Sequence, residues 1–459
     1  FIKSGSGFYF TVSDPVYGKE LWYSNGTPQG SYMVRDIAAG NRDAGIKTLA
    51  VTNDLLYFRA RPDWRNDPQL WISDGTPEGT NILKDINISE AFPFKGKIYF
   101  SNTDETNGVE LWVSDGTPEG TKLFKNIREG SKGSSPTSFF EFNGTLFFVA
   151  NDGGGRELWK SDGTTSGTSL VKQINPKNNG SIRADNTFLI FDGNFYFFAD
   201  DSVHGYELFK SDGTAEGTVL VKDINPNGHS SYQLSGVVTG NGVFFGANDG
   251  EHGTELWKSD GTEEGTILIK DINPEDDSFI QNWVTENYAS IGSTVFFTSN
   301  DGVHGSELWK TDGTESGTEI VIDLNPGEQS SGIGYLKSSN GKLFFIAAID
   351  EHLDKKQLWI TDGTEDGTIR LNDTKIISNY SSFEFEIFSL GNKIFYDASS
   401  DQNGIELWES DGTVQGTKLF RDFNHKWGGM PRNFMENNEL LYFSAMAPQG
   451  GHQLYISNG

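Results

Sequence analysis

The chain of 459 residues contains no cysteine. Disulfides, thiolate nucleophiles and cysteine-ligated zinc are therefore excluded. Basic residues are scarce, with 36 Lys and Arg against 64 Asp and Glu, a formal net charge of −28. Non-specific binding to nucleic acid draws on clustered Lys and Arg, so a nucleic-acid partner is not expected. No apolar stretch runs for about 18 residues, so no membrane-spanning helix is expected. No segment holds a 3.6-residue apolar period, and Gly and Asn-Pro punctuation is too dense for long helices. The start, at Phe1, has no basic region, apolar run or small-residue cleavage site of a signal peptide. Gly-x-Ser-x-Gly, His-Glu-x-x-His and phosphate-loop signatures are also missing.

What is present is glycine (55), phenylalanine (34) and tryptophan (11). A hydrophobic content of 35% with 13% aromatics argues for a folded chain despite its charge. Its length suffices for a substantial core.

One phrase recurs down the chain: Glu20-Leu21-Trp22, Gln69-Leu70-Trp71, Glu110-Leu111-Trp112, Glu157-Leu158-Trp159 and Glu207-Leu208-Phe209. It continues through Glu255-Leu256-Trp257, Glu307-Leu308-Trp309, Gln357-Leu358-Trp359, Glu406-Leu407-Trp408 and Gln453-Leu454-Tyr455. Successive copies are 49, 41, 47, 50, 48, 52, 50, 49 and 47 residues apart. A turn phrase follows each aromatic, in full form Ser161-Asp162-Gly163-Thr164 with Gly167-Thr168. Asp stands in eight of the turns, at Asp74, Asp115, Asp162, Asp212, Asp260, Asp312, Asp362 and Asp411, and Asn25 and Asn458 replace it in the first and last. This phrasing resembles the bacterial ELWxxDGT repeat family over essentially the whole chain. The resemblance implies a secreted or surface-associated protein and no common reaction.

The unit can be read residue by residue between 138 and 176. Ser138 to Phe142 reads as a strand, and Asn143-Gly144 is a two-residue hairpin signal. Thr145 to Ala150 is an apolar run suited to a strand buried on both faces. Asn151 to Gly155 is a loop, Glu157 to Lys160 a third strand and Thr168 to Ile174 a fourth, before Asn175-Pro176 ends the unit. Four short antiparallel strands in about 46 residues is the arithmetic of a propeller blade. The expected fold is all-β: one β-propeller domain over 1–459 of ten four-stranded antiparallel blades. Their approximate spans are 1–40, 45–88, 91–130, 137–176, 184–226, 233–275, 284–326, 333–376, 382–425 and 431–459. Two smaller rings or an open repeat array are the alternatives. The shortest spacing predicts a reduced third blade near Ala91 to Lys95. The last unit stops without a fourth strand, which suggests a piece of a longer polypeptide.

The repeated Leu-Trp pair is expected to fill the space between sheets, with a ring of sugar-stacking tryptophans as the rival reading. The Ser-Asp-Gly-Thr turn reads as hairpin chemistry, similar in placement to the Asp-box hairpins of sialidase and sortilin propellers. No cofactor is expected there; calcium is the one ion to weigh, and it takes about six to eight oxygens where each turn offers one Asp.

The loop between second and third strands carries the candidate binding residues: Asp201 and His204, Asp249 and His252, Asp301 and His304, with His352 close to the same place in the next unit. A tight loop whose His caps a neighbouring backbone group is the simpler reading, and a repeated binding surface is the functional one. Propeller topology puts these loops on the face of the blade-to-blade connections, opposite the Ser-Asp-Gly-Thr turns. Off-pattern residues are the other candidates: Arg61, Asp63, Trp64, Arg65, Trp283, Lys355, Lys356, His425, Lys426 and Trp427. The expected function is a non-catalytic secreted or cell-surface scaffold that binds a surface protein or a carbohydrate. A glycoside hydrolase or polysaccharide lyase, and a unit of a longer surface fibre, are the rivals.

Overall fold

A computed structural model describes all residues except 178–179, 185, 227–235, 279–287, 350–355, 375, 377–384, 401–403, 425–427 and 449–450. Ten antiparallel sheets follow one another along the chain and form a ten-bladed β-propeller. The blades span 2–35, 47–84, 92–125, 137–172, 189–222, 236–270, 288–322, 334–370, 387–421 and 432–457. Nine have four strands in sequence order, and the tenth has three. No helix forms among the described residues, and none is long and apolar enough to cross a membrane.

The fourth blade shows how the sequence dictates the unit. Its strands are Thr137–Phe142, Thr145–Asn151, Arg156–Ser161 and Ser169–Lys172. Asn143 and Gly144 turn the first hairpin with positive φ, as a two-residue type I′ turn requires. The second strand is buried on both faces because a blade lies on either side of it. The fourth strand ends at Lys172, two residues before the apolar pattern predicts. The amides of Ile174 and Asn175 instead donate to the Glu157 carboxylate, at 3.2 and 3.1 Å.

That carboxylate is a repeated device. Glu20, Glu110, Glu157, Glu207, Glu255, Glu307 and Glu406 are all sealed from solvent inside their blades. Each accepts an amide hydrogen from the connector 17 residues later, such as Ile37 on Glu20 (3.1 Å) and Ile272 on Glu255 (3.2 Å). Six of the seven also accept the next amide, and Glu307 accepts that of Ser331 (2.9 Å) instead. A connector serine adds its hydroxyl to Glu110, Glu157, Glu255 and Glu307. The glutamate thus takes up backbone donors that have left the sheet, which buried amides require.

The core is a series of clusters between blades. Val221 from the outer strand of blade 5 packs with Val243, Phe245 and Trp257 of blade 6, and Ile269 of blade 6 with Val295, Phe297 and Trp309 of blade 7. Trp71, Trp112, Trp159, Trp257, Trp309 and Trp359 are all buried in such clusters, which is the space-filling reading of the repeat.

The third blade is not reduced. It keeps four strands, beginning with Phe92–Phe94, and the shortening falls in the connector 85–91. A blade needs its strands to cover its neighbours, whereas a connector on the surface can lose residues.

The turns lock each blade to the one before. Asp260 Oδ1 accepts the Thr262 amide (2.8 Å) and hydroxyl (2.7 Å), and the Thr262 hydroxyl accepts the Gly265 amide (2.9 Å). Ser259 and Thr266 join their hydroxyls at 2.8 Å to close the hairpin. The threonine hydroxyl, above all, holds the Asp260 carboxyl below its usual range, and the other seven turn aspartates are lowered for the same reason. Gly261, at φ +91°, sits where a Cβ would overlap the Tyr196 hydroxyl of blade 5. Gly26 meets Tyr442 of blade 10 in the same manner, and Phe8 packs edge-on to Tyr442 with centroids 4.7 Å apart. Side-chain packing thus brings blade 1 against blade 10.

Two stability outcomes follow. Gly261→Ala adds a clash and a positive-φ Cβ, and should destabilise by about 1–3 kcal/mol in denaturant titration. Gly240→Ala, with open space around it, should stay within about 0.5 kcal/mol. The second outcome concerns pH. Burial, against its hydrogen bonds, raises Glu255 from 4.5 to about 7, and Glu20 and Glu307 likewise. The folded state then keeps a proton that the unfolded chain loses, so this stability is present below pH 4.5 and lost as pH rises towards about 7. The lowered turn aspartates act oppositely, their contribution vanishing as pH falls below 3.8. The melting temperature should therefore decline between pH about 5 and about 8, and Glu255→Gln should make that decline shallower.

Candidate functional site

The connectors and the loops between second and third strands share one face. Gly253 lies against the backbone of Asp276 and Asp277, and Gly305 against Gln329 and Ser330. On this face blades 5, 6 and 7 repeat one arrangement.

In blade 5, Asp201 Oδ1 accepts the amides of Val203 and His204, both at 2.9 Å, while Oδ2 meets His204 Nδ1 at 2.7 Å. Asp249 holds Glu251 (3.0 Å), His252 (2.9 Å) and the His252 ring (2.7 Å) in the same way. Asp301 holds Val303 (2.9 Å), His304 (2.8 Å) and the His304 ring (2.7 Å). The Asp-x-x-His spacing brings these groups together because a tight turn returns the chain within three residues. The aspartate caps the loop amides, and the histidine pairs with that aspartate. This corrects the expectation that the histidine caps a neighbouring backbone group: the carboxylate is the acceptor that free turn amides need. His352 lies outside the described residues.

Burial pushes the Asp201 carboxyl up, but the His204 amide and ring and the Val203 amide outweigh it and hold it low. Asp249 and Asp301 behave alike. The carboxylate hydrogen bond raises His204, His252 and His304 above the ordinary imidazole value. Each ring is 35–40% exposed. Val203 and Val303 project at the loop tips, 74% and 60% exposed. Three half-open imidazoles held by carboxylates therefore stand on this face, two beside an apolar tip and His252 beside Glu251. Among the described residues, no group of three or more His, Asp or Glu is arranged to hold a metal ion.

One element of this face was not apparent in the sequence. Arg128, Arg156 and Arg183 line a depression of about 820 Å³ beside Tyr206, next to the Asp201–His204 loop. The Arg156 guanidinium is positioned by the Ser135 carbonyl and the Thr137 hydroxyl, each at 3.3 Å. Three arginines lining one hollow suit a ligand with carboxylate, sulfate or phosphate groups.

The off-pattern candidates among the described residues do not line this hollow. Arg61, Asp63, Trp64 and Arg65 form the second-to-third loop of blade 2, where the Arg65 guanidinium lies 5.2 Å from the ring centre of the exposed Trp64. Lys356 bridges to Ile376 in blade 8, and burial lowers its ammonium. Trp283, Lys355, His425, Lys426 and Trp427 lie outside the described residues.

No protein-family model matches the chain, and no curated protein matches it. Solved structures match it distantly. A puromycin hydrolase is 13% identical with a TM-score of 0.36, covering 85% of this chain and 62% of that one. A prolyl endopeptidase structure is 13% identical with a TM-score of 0.34, covering 71% and 48%. A Mycobacterium tuberculosis puromycin-hydrolyzing peptidase is 9% identical with a TM-score of 0.34, covering 79% and 58%. The chain thus spans less than two thirds of the length of these structures.

The site gives a titration outcome. Proton NMR should show His204, His252 and His304 titrating above the usual imidazole value, and His452, lowered first by burial, below it. Asp201→Asn should bring His204 down while leaving His304 in place.

Proposed function

We propose that this chain is a non-catalytic binding scaffold, secreted or displayed at a cell surface, and that it belongs with the ELWxxDGT repeat proteins its sequence resembles. Its ligand is a surface protein or carbohydrate carrying negatively charged groups, taken on the connector face. The observation that carries this reading is the Arg128, Arg156 and Arg183 hollow beside the Asp201–His204 loop, in a chain of net charge −28. Such a local reversal of sign concentrates an acidic ligand against the general field of the molecule. The other repeated polar groups support it indirectly. The blade glutamates and turn aspartates are consumed in holding amides, so recognition falls to the irregular residues of the connector face and the Asp-His loops.

The test is a panel of uronate-bearing, sulfated and neutral glycans together with surface-protein extracts. Acidic ligands should bind in a salt-sensitive manner. Arg128→Ala with Arg183→Ala should weaken that binding about tenfold or more without lowering the melting temperature. Binding indifferent to salt and to both arginines would overturn the assignment. So would turnover of a polysaccharide that a single carboxylate substitution abolishes.

A further inference from the structure

The arginine hollow has a neighbour. A recess of about 310 Å³ opens beside it, lined by Ser138, Phe139, Phe140, Ala184, Asn186 and Phe188. Ala184 lines both depressions, so they meet at that residue. The join is fixed from two sides. Thr137 offers its hydroxyl to the Arg156 guanidinium (3.3 Å), and the next residue, Ser138, donates its hydroxyl to the Ala184 carbonyl (2.8 Å). The Asn186 amide closes a turn onto the Arg183 carbonyl at 3.3 Å. Residues 137–138 and 183–184 thus stitch a cationic depression to an aromatic one.

The aromatic side follows from a bulge in the first strand of blade 4. Thr137 pairs with Val149 and Phe140 with Phe147, so Ser138 and Phe139 together oppose Phe148, and Ser138 takes φ +54°. A bulge re-aims the side chains beside it. Phe140 stacks on Phe188, at the entry to blade 5, with centroids 4.2 Å and planes 24° apart, and on Phe147 at 5.4 Å. Phe139 lies 5.6 Å from Phe148. Phe147 and Phe148 are buried in the core, whereas Phe139, Phe140 and Phe188 stay half-exposed. Among the described residues that line the two depressions none is acidic, in a chain with 64 Asp and Glu.

We infer that the two depressions form one site for an acidic polysaccharide. A carboxylate or sulfate of one sugar enters among Arg128, Arg156 and Arg183, and the ring of that sugar or the next lies on Phe139, Phe140 and Phe188. The inference rests on the acidic-ligand reading above and adds the sugar to it. Guanidinium forks match the paired oxygens of the acid. An aromatic face is negative, and the C–H face of a pyranose is its apolar, faintly positive side, so the two attract. The rim can accept a ring hydroxyl: Asn186 spends its Nδ2 on the Phe198 carbonyl at 2.6 Å, which leaves Oδ1. A lipid is a poor occupant, because an acyl chain needs an enclosed apolar channel and this recess is open, with Ser138 and Asn186 at its edge. An acidic peptide supplies the charge without a flat C–H face.

The experiment titrates the intact chain by calorimetry with four probes: a galacturonic acid hexamer, a sulfated galactose hexamer, a neutral galactose hexamer and a peptide of six glutamates. At least one acidic sugar should saturate a single site, and the neutral sugar and the peptide should bind about tenfold or more weakly than it. The carboxylate and sulfate arms tell which acid the hollow takes. Phe139→Leu with Phe188→Leu keeps apolar bulk but removes the ring faces, and should narrow the sugar's advantage over the peptide to about twofold. The comparison of probes decides the question even where that variant misfolds. The glutamate peptide binding as tightly as the acidic sugars, or acidic sugars indifferent to both phenylalanines, would overturn the inference while leaving the acidic-ligand reading to stand on its arginines. No acidic probe binding up to about 1 mM would overturn both.

Discussion

A carboxylate out of reach of water holds the ends of the connectors in seven of the ten blades, and the ring is built around that contact. A charged group buried without partners is costly, so its two oxygens must be matched by donors. Those donors are amides of the segment leaving the outer strand, and they are aligned only if the segment passes directly over the glutamate. The same contact therefore stops the strand, fixes where the connector crosses and sets the direction in which the next blade begins. Gln69, Gln357 and Gln453 occupy the position in the other three blades. Gln69 turns its amide to Asp85 at 2.8 Å instead.

Around this anchor the blades are joined by dissimilar but repeated links. Outer-strand cations reach forward to turn carbonyls, and turn glycines admit the aromatic tips of the blade behind. Apolar clusters fill the gap. These links act between nearest neighbours, so stability is distributed as in other repeat proteins, as a sum of unit and interface contributions. Function is then left to segments outside the links. The connector face carries the Asp-His loops and the arginine hollow, outside the outer-strand and turn links.

The strands, hairpins and turn phrase were legible because their signals are local. Asn143-Gly144 specifies its own turn, and Asp162 finds its partners within two residues. The Asp-x-x-His pairs were legible for the same reason, although the direction of capping was not. Glu157 was opaque: the amides it holds are 17 and 18 residues away and have no side-chain signature, and its serine partner, Ser181, is 24 residues away. The early end of the fourth strand at Lys172 follows from that unseen bond. The third blade misled because spacing reports a deletion without saying which part of the unit lost residues. Arg128, Arg156 and Arg183 come from two connectors and a strand start, so no sequence period relates them.

The turn glycines also limit how the ring can drift in sequence. Gly26 and Gly261 stand where any Cβ would strike a tyrosine hydroxyl of the blade behind, Tyr442 and Tyr196. A methyl gained at such a turn has room only if the facing ring shrinks at the same time, so the two positions are inherited as a pair and not singly.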